Sequence, residues 1–218
     1  MKPNNLRWAV IAILLACIPL AFLAIAWPHI PDTVPVRFNA NMEPEKFENK
    51  SSLWLVTGIT SGVSVIIYFL LVNIHRIDPK RRNQPSATFA KLGFGLVVFF
   101  AALGVILVAS SLRGGLGLQR LLFPLIGLLL AFLGNYLPAL KPNYFAGLRL
   151  PWTLSDPDNW RQTHRLAGRI WFWSGLAFAL LAVFLPVRIL LPVFITAIVA
   201  MVLVPSIYSF WLFREKKS

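Results

Sequence analysis

Six long stretches of this chain contain no lysine, arginine, aspartate or glutamate: residues 8–31, 51–74, 92–112, 121–140, 170–187 and 189–213. They run from 18 to 25 residues, and a helix needs about 20 apolar residues to cross a bilayer. Lipid offers the backbone no hydrogen-bond partner, so such runs are expected to fold as transmembrane helices. A membrane barrel would instead show segments of about ten alternating residues. Residues 94–109, FGLVVFFAALGVILVA, do not alternate and are apolar on every face. Only 13% of the chain is charged, against about 25% in soluble domains. The expected fold is an all-α, polytopic membrane protein with six transmembrane helices. It reads as one integrated membrane domain in three stretches. Residues 1–74 hold the first helix pair and its loop, 75–133 hold helix 3 and most of helix 4, and 134–218 hold the last loop and helices 5 and 6.

The placement of the basic residues predicts an orientation. The net charge is +13. Of the 21 lysines and arginines, 15 fall before helix 1, between helices 2 and 3, between helices 4 and 5, or at the chain end. Basic residues favour the cytoplasmic side, so both termini are expected there. The positive charge is then topological, and the expected partner is the lipid bilayer, with no direct nucleic acid. The one cysteine, Cys17, lies in an apolar run, so neither a disulfide framework nor a cysteine metal cluster is expected. The first run continues well past the 7–15 residues of a signal-peptide core, which favours a retained helix.

Two connections are long enough to hold function. The first, residues 28–52, has four prolines (Pro28, Pro31, Pro35, Pro44) that exclude a long helix. Within it TVPVRF alternates and suits a short extended segment. The loop also holds His29 and four of the eight acidic residues, without a recognised ligand spacing, so no metal is expected. The second, residues 138–168, contains Ser155-Asp156-Pro157-Asp158. Asp156 can cap a helix, Pro157 suits its first position and Asp158 complements its dipole. Helix 5 is therefore expected to start near Pro157, below its charge-free run, with Trp160, His164 and Ala167 on one face. Residues 141–143 and 150–152 read as ordered loop, with Gly147 permitting a turn. Interfacial Trp and Arg favour an anchoring role for this segment; the sharper alternative is a docking surface for a cytoplasmic partner. The basic helix 2–3 link, with Lys80, Arg81 and Arg82, and the Gly-rich RGGLGLQR link read as plain connections.

Inside the runs there is no acid, base or histidine at mid-membrane depth, which weighs against ion pumps and proton-coupled carriers. No nucleotide-loop or zinc-protease pattern occurs. Gly58 and Gly62 form a small-xxx-small pair expected to pack closely on another helix. Gly127, Ala131 and Asn135 share a face of helix 4, and Asn135 is expected to hydrogen-bond another helix. Pro124 and Pro138 suggest bends in that helix.

The stretch from Gly134, GNYLPALKPNYFAGLRLPWTLSDPDNWRQTHRLAG, resembles the signature of the SdpI family of bacterial membrane proteins. The matching residues are Gly134, Asn135, Pro138, Lys141, Asn143, Gly147, Arg149, Pro151, Trp152, Thr153, Leu154, Trp160, Thr163, His164, Arg165 and Gly168. The first outside loop resembles a small domain of unknown function that often accompanies the signature, through Ile30-Pro31, Pro35, Phe38-Asn39 and Lys50. It departs at Arg37, where histidine is usual, and at Met42, where glycine is usual. The resemblance implies a multi-pass protein of a prokaryotic plasma membrane that gives immunity to a secreted antibacterial peptide toxin. It also implies a cytoplasmic regulator as a second partner, and no cofactor.

On this reading the ligand or partner candidates are Asn135, Lys141, Asn143, Gly147, Arg149, Pro151, Trp152, Thr153, Trp160, Thr163, His164 and Arg165. Outside they are Pro31, Pro35, Arg37, Phe38 and Asn39. The leading expectation is a non-enzymatic receptor or immunity protein. Two alternatives stay open. One is a transporter or flippase with a cavity lined by Asn135 and the polar residues of helix 2. The other is a membrane enzyme using His164, Lys141 and Arg149 on phosphate-bearing lipid.

Overall fold

Each charge-free run is helical over most of its length. A computed structural model describes residues 3–39, 43–78, 87–112 and 118–216. In chain order the elements are α1 (Pro3–Ala26), β1 (Thr33–Phe38), β2 (Pro44–Asn49), α2 (Ser52–Val72), α3 (Ala87–Leu112), α4 (Leu122–Tyr136), the short α5 (Pro151–Ser155), α6 (Pro157–Phe184) and α7 (Val187–Glu215). Six of these helices are long and apolar enough to cross a membrane. Lys80, Arg81 and Arg82, most of the RGGLGLQR link, and Met42 lie outside the described residues.

Contacts between distant segments show which helix ends lie together. Trp8, early in α1, meets Phe94, early in α3, edge to face at 5.3 Å. The α2–α3 link meets the α4–α5 link, where the Tyr144 amide donates to Asp78 at 3.4 Å. Lys216, just after α7, pairs with Asp156, just before α6, at 2.6 Å. The start of α1, the end of α7 and both of these links therefore share one end, here the signature end. At the opposite end the β1–β2 segment packs near Val108 of α3, and Arg120 donates to the Leu185 carbonyl at 3.2 Å.

Within the bundle, α1, α2 and α3 pack on one another through Ala9, Ala12, Ala16, Tyr68 and Val97. The tightest pair is α4 with α6, and glycines explain it. A Cβ on Gly127 would stand 2.6 Å from the Ala179 nitrogen, and one on Gly134 2.4 Å from the Phe172 nitrogen. From α6, a Cβ on Gly175 would meet the Ala131 nitrogen at 2.5 Å, and one on Gly168 would meet the Pro138 ring at 2.6 Å. Backbones this close gain dispersion contacts that lipid tails cannot match. The α7 helix leans on α6 through Phe178, Ala182 and Leu190. By contrast α3 and α4 touch sparsely, and a cleft opens between them.

Several local expectations need correction. The buried face of α4 is Gly127, Leu130, Ala131 and Gly134, and Asn135 is exposed, with no hydrogen bond to another helix among the described residues. A helix turns about 100° per residue, so Gly134 takes the close contact with α6 and Asn135 is left at the edge of that seam. Gly58 and Gly62 meet nothing within 4 Å; α2 instead buries Thr57, Ser61, Ser64 and Tyr68. Pro124 sits in the first turn of α4 and Pro138 in the 3-10 turn after it. They bound the helix rather than bend it, because a first-turn proline sacrifices no intrahelical bond. Pro151 and Trp152 start α5 instead of continuing a loop: Leu150 stays extended before it, and the Thr153 hydroxyl accepts from the Leu150 amide.

The expected extended segment is β1, and it pairs antiparallel with β2 in a hairpin. Thr33 stands opposite Asn49 and Phe38 opposite Pro44, with the register shifting around Arg37. Such irregularity lets one strand bend against its partner. Asn39 closes the turn: its Oδ1 accepts from the Glu43 amide at 2.9 Å and its Nδ2 donates to the Glu43 carboxylate at 2.8 Å. Pro35 is tolerated because β1 has a partner on one side only.

Candidate functional site

The signature end is built outward from α6. Its 28 residues span about 42 Å at 1.5 Å per residue, against about 30 Å of hydrocarbon. The surplus, some two turns, carries the polar residues that the membrane core would reject. The Asp156 cap starts these turns as expected, accepting from the Asp158 amide at 2.9 Å. The hydrogen bond from Lys216 holds the Asp156 carboxyl below the ordinary carboxylate range, and the same contact raises the Lys216 ammonium.

His164 is fully buried. Its Nδ1 lies 2.8 Å from the Trp160 carbonyl and its Nε2 accepts from the Leu148 amide at 3.0 Å. An acceptor Nε2 carries no proton, so Nδ1 carries the hydrogen and the ring is neutral. Trp160 stacks on the imidazole at 3.9 Å, and its indole N–H donates to the Leu140 carbonyl at 2.7 Å. Leu148 can reach the ring because Gly147 stands beside it at φ +106°. A Cβ there would lie 2.2 Å from His164 Nε2, so glycine is required twice, for the dihedral and for the space.

Asn143 is the second fixed point. Buried completely, it donates to the carbonyls of Lys141 (2.9 Å) and Ala146 (3.1 Å). Its Oδ1 accepts from the amides of Phe145 and Ala146, both at 2.8 Å. The side chain thereby replaces the secondary structure that residues 141–146 lack. Thr153 closes the loop, accepting from the Leu150 amide at 2.9 Å and donating to the Leu148 carbonyl at 2.8 Å.

A third group ties α5 and α6 to α7. The Trp152 indole donates to Ser209 Oγ at 2.9 Å, and Ser209 Oγ donates to Asn159 Oδ1 at 2.6 Å. Asn159 returns a bond to the Ser209 carbonyl at 2.8 Å, and Thr163 donates to Asn159 Oδ1 at 3.0 Å. Asn159, Ser209 and the buried Asp78 escaped the sequence reading. The four-residue spacing of Asn159 and Thr163 was its only local signal.

The remaining candidates stay on the surface. Lys141 and Arg165 are exposed, Pro151 opens α5, and Arg149 donates outward to the Tyr144 carbonyl at 2.6 Å. Arg149, Trp152 and His164 therefore do not converge: one faces solvent, one faces α7 and one faces Leu148. An acid–base role for His164 needs a free ring nitrogen, and both are engaged. Asn135 lines only a shallow hollow of about 180 Å³ with Arg169 and Trp173. It takes no part in the large cleft, so the cavity foreseen for a transporter does not form around it.

At the hairpin end the geometry is different in kind. The buried residue here is Val34, which was not among the candidates, packed with Leu23, Ile30, Leu53 and Val108. Lys50 sits over the Trp27 ring at 5.2 Å and pairs with Asp32 at 3.0 Å. Arg37 pairs with Glu45 at 3.2 Å, both side chains exposed, and Val36 and Phe47 are exposed on the same two strands. Pro31 is exposed there too, while Pro35, Phe38 and Asn39 are half-buried.

Comparison with known proteins matches these two ends separately. Residues 139–209 match the SdpI/YfhL protein family, and residues 14–60 match a domain of unknown function, DUF1648. Immunity protein SdpI of Bacillus subtilis is 22% identical over 203 residues, covering 93% of this chain and 92% of that protein. No solved structure matches the chain. The polar cluster around His164 and Asn143 thus lies in the segment that is similar to the SdpI/YfhL protein family, and the hairpin lies in the segment that is similar to DUF1648.

Proposed function

We propose that this chain is a membrane immunity protein, which protects a bacterium from a secreted antibacterial peptide toxin. The observation that supports it most is the near full-length similarity to Immunity protein SdpI, which extends through both the hairpin and the signature end. In this reading the signature end lies in the cytoplasm, which the excess of basic residues there supports. The hairpin then faces outward and offers Val36, Phe47 and Arg37 to the toxin. The exposed cations Lys141, Arg149 and Arg165 form the surface on which an acidic cytoplasmic regulator docks, while the buried polar residues keep that surface rigid.

The test is expression of the chain in a toxin-sensitive bacterium. Survival at toxin concentrations that kill the parent strain is expected. No gain in survival, with the protein verified in the membrane, removes the immunity reading.

A further inference from the structure

The cleft between α3 and α4 has a shape and a charge that the immunity reading does not use. Its volume is about 810 Å³, within the roughly 300–1,000 Å³ of ligand pockets. Its walls are almost wholly apolar, with Phe94, Val98, Leu128 and Phe132 facing one another across it. Val98 and Leu128, midway along their helices, are exposed, so the cleft is open on the flank of the bundle, where α3 and α4 touch only sparsely. In a bilayer such an opening is reached by acyl chains and not by water.

One end is polar. Lys91 and Tyr136 line the cleft at the signature end, where Trp8 meets Phe94. Trp and Tyr belong at headgroup depth, and a lysine there extends its ammonium to the interface. Lys91 is exposed, and no ion pair is recorded for it among the described residues. An ammonium beside an apolar slot fits an anionic amphiphile. A second copy of the chain fits poorly, because it would bring another strongly basic end against Lys91.

We propose that the α3–α4 cleft holds one anionic phospholipid, with an acyl chain along Phe94, Val98 and Leu128 and the phosphate at Lys91. Bound there, the lipid fills the gap between the α1–α3 group and the α4–α7 group and joins them. One basic residue at a membrane surface favours anionic lipid by about 1 kcal/mol, or roughly fivefold.

The test is native mass spectrometry of the full chain, purified in detergent and titrated with phosphatidylglycerol or phosphatidylcholine. Retention of one phosphatidylglycerol per chain is expected, with phosphatidylcholine held about fivefold more weakly. Lys91→Gln should erase that preference and Lys91→Arg should keep it. Ala90→Trp, which fills the cleft near its polar end, should abolish retention of both lipids. Equal retention of the two lipids by the wild type overturns the proposal. So does retention unchanged by Ala90→Trp, or a dimer that excludes lipid.

Discussion

The two ends of this molecule are held by opposite means. At the signature end, two buried polar side chains are held by hydrogen bonds on every side: Asn143 makes four, and both nitrogens of His164 are engaged. At the hairpin end the anchor is apolar, with Val34 and Ile30 inserted among Leu23, Leu53 and Val108, and the charges lie outside. Buried polar networks specify one arrangement and tolerate little change, because each lost partner leaves an unsatisfied group. An apolar anchor under exposed strands fixes a platform and leaves its outer residues free to vary. Under the proposed immunity function, this contrast puts constancy at the signature end and selectivity at the hairpin.

The sharpest way to break this contrast is Gly147→Ala. It forces an L-residue to φ +106° and drives a methyl into His164, so a loss of about 3 kcal/mol or more is expected. Thermal unfolding in detergent measures it; wild-type stability would contradict the account of the loop. Asn143→Ala should follow at about 2–3 kcal/mol, since it strands two amides and two carbonyls at once.

A middle-sized effect separates the glycines. Gly134→Ala pushes a methyl against the Phe172 backbone and should cost about 1–3 kcal/mol. Gly62→Ala meets open space and should be neutral, or stabilising by up to about 1 kcal/mol through helix propensity. Equal effects would show that the α4–α6 seam is not the tight one.

The smallest effect concerns Lys216 and Asp156. The aspartate's folded pKa is lowered, so its contribution is present above the ordinary value of about 3.9 and disappears as pH falls through the folded one. The lysine's is raised, so its share is present below about 10.4 and is lost at higher pH. Lys216→Ala should slightly flatten the acid side of the unfolding profile. An acid limb as steep as that of the wild type would contradict the pairing.

Much of this was legible because the physics was local. Charge-free length gives six spans, since an ion in hydrocarbon is costly wherever the partners lie. The Asp156-Pro157-Asp158 start and the Gly147 turn are also written in adjacent residues. What escaped depends on distant ones. Asn159 and Ser209 are 50 residues apart, and Asp78 meets Tyr144 across 66. Small-residue patterns name a packing surface without its partner: the same spacing predicts contact at Gly58–Gly62, where none exists. Asn135 was misplaced for a related reason, because one position of helix rotation decides between a seam and a free face.

The most direct test of the division between ends is a survival assay on the hairpin. Val36→Asp with Phe47→Asp alters exposed residues and leaves the Val34 anchor in place. The account predicts wild-type unfolding temperature and wild-type membrane abundance together with loss of protection against the toxin. Full protection by this folded variant would contradict it.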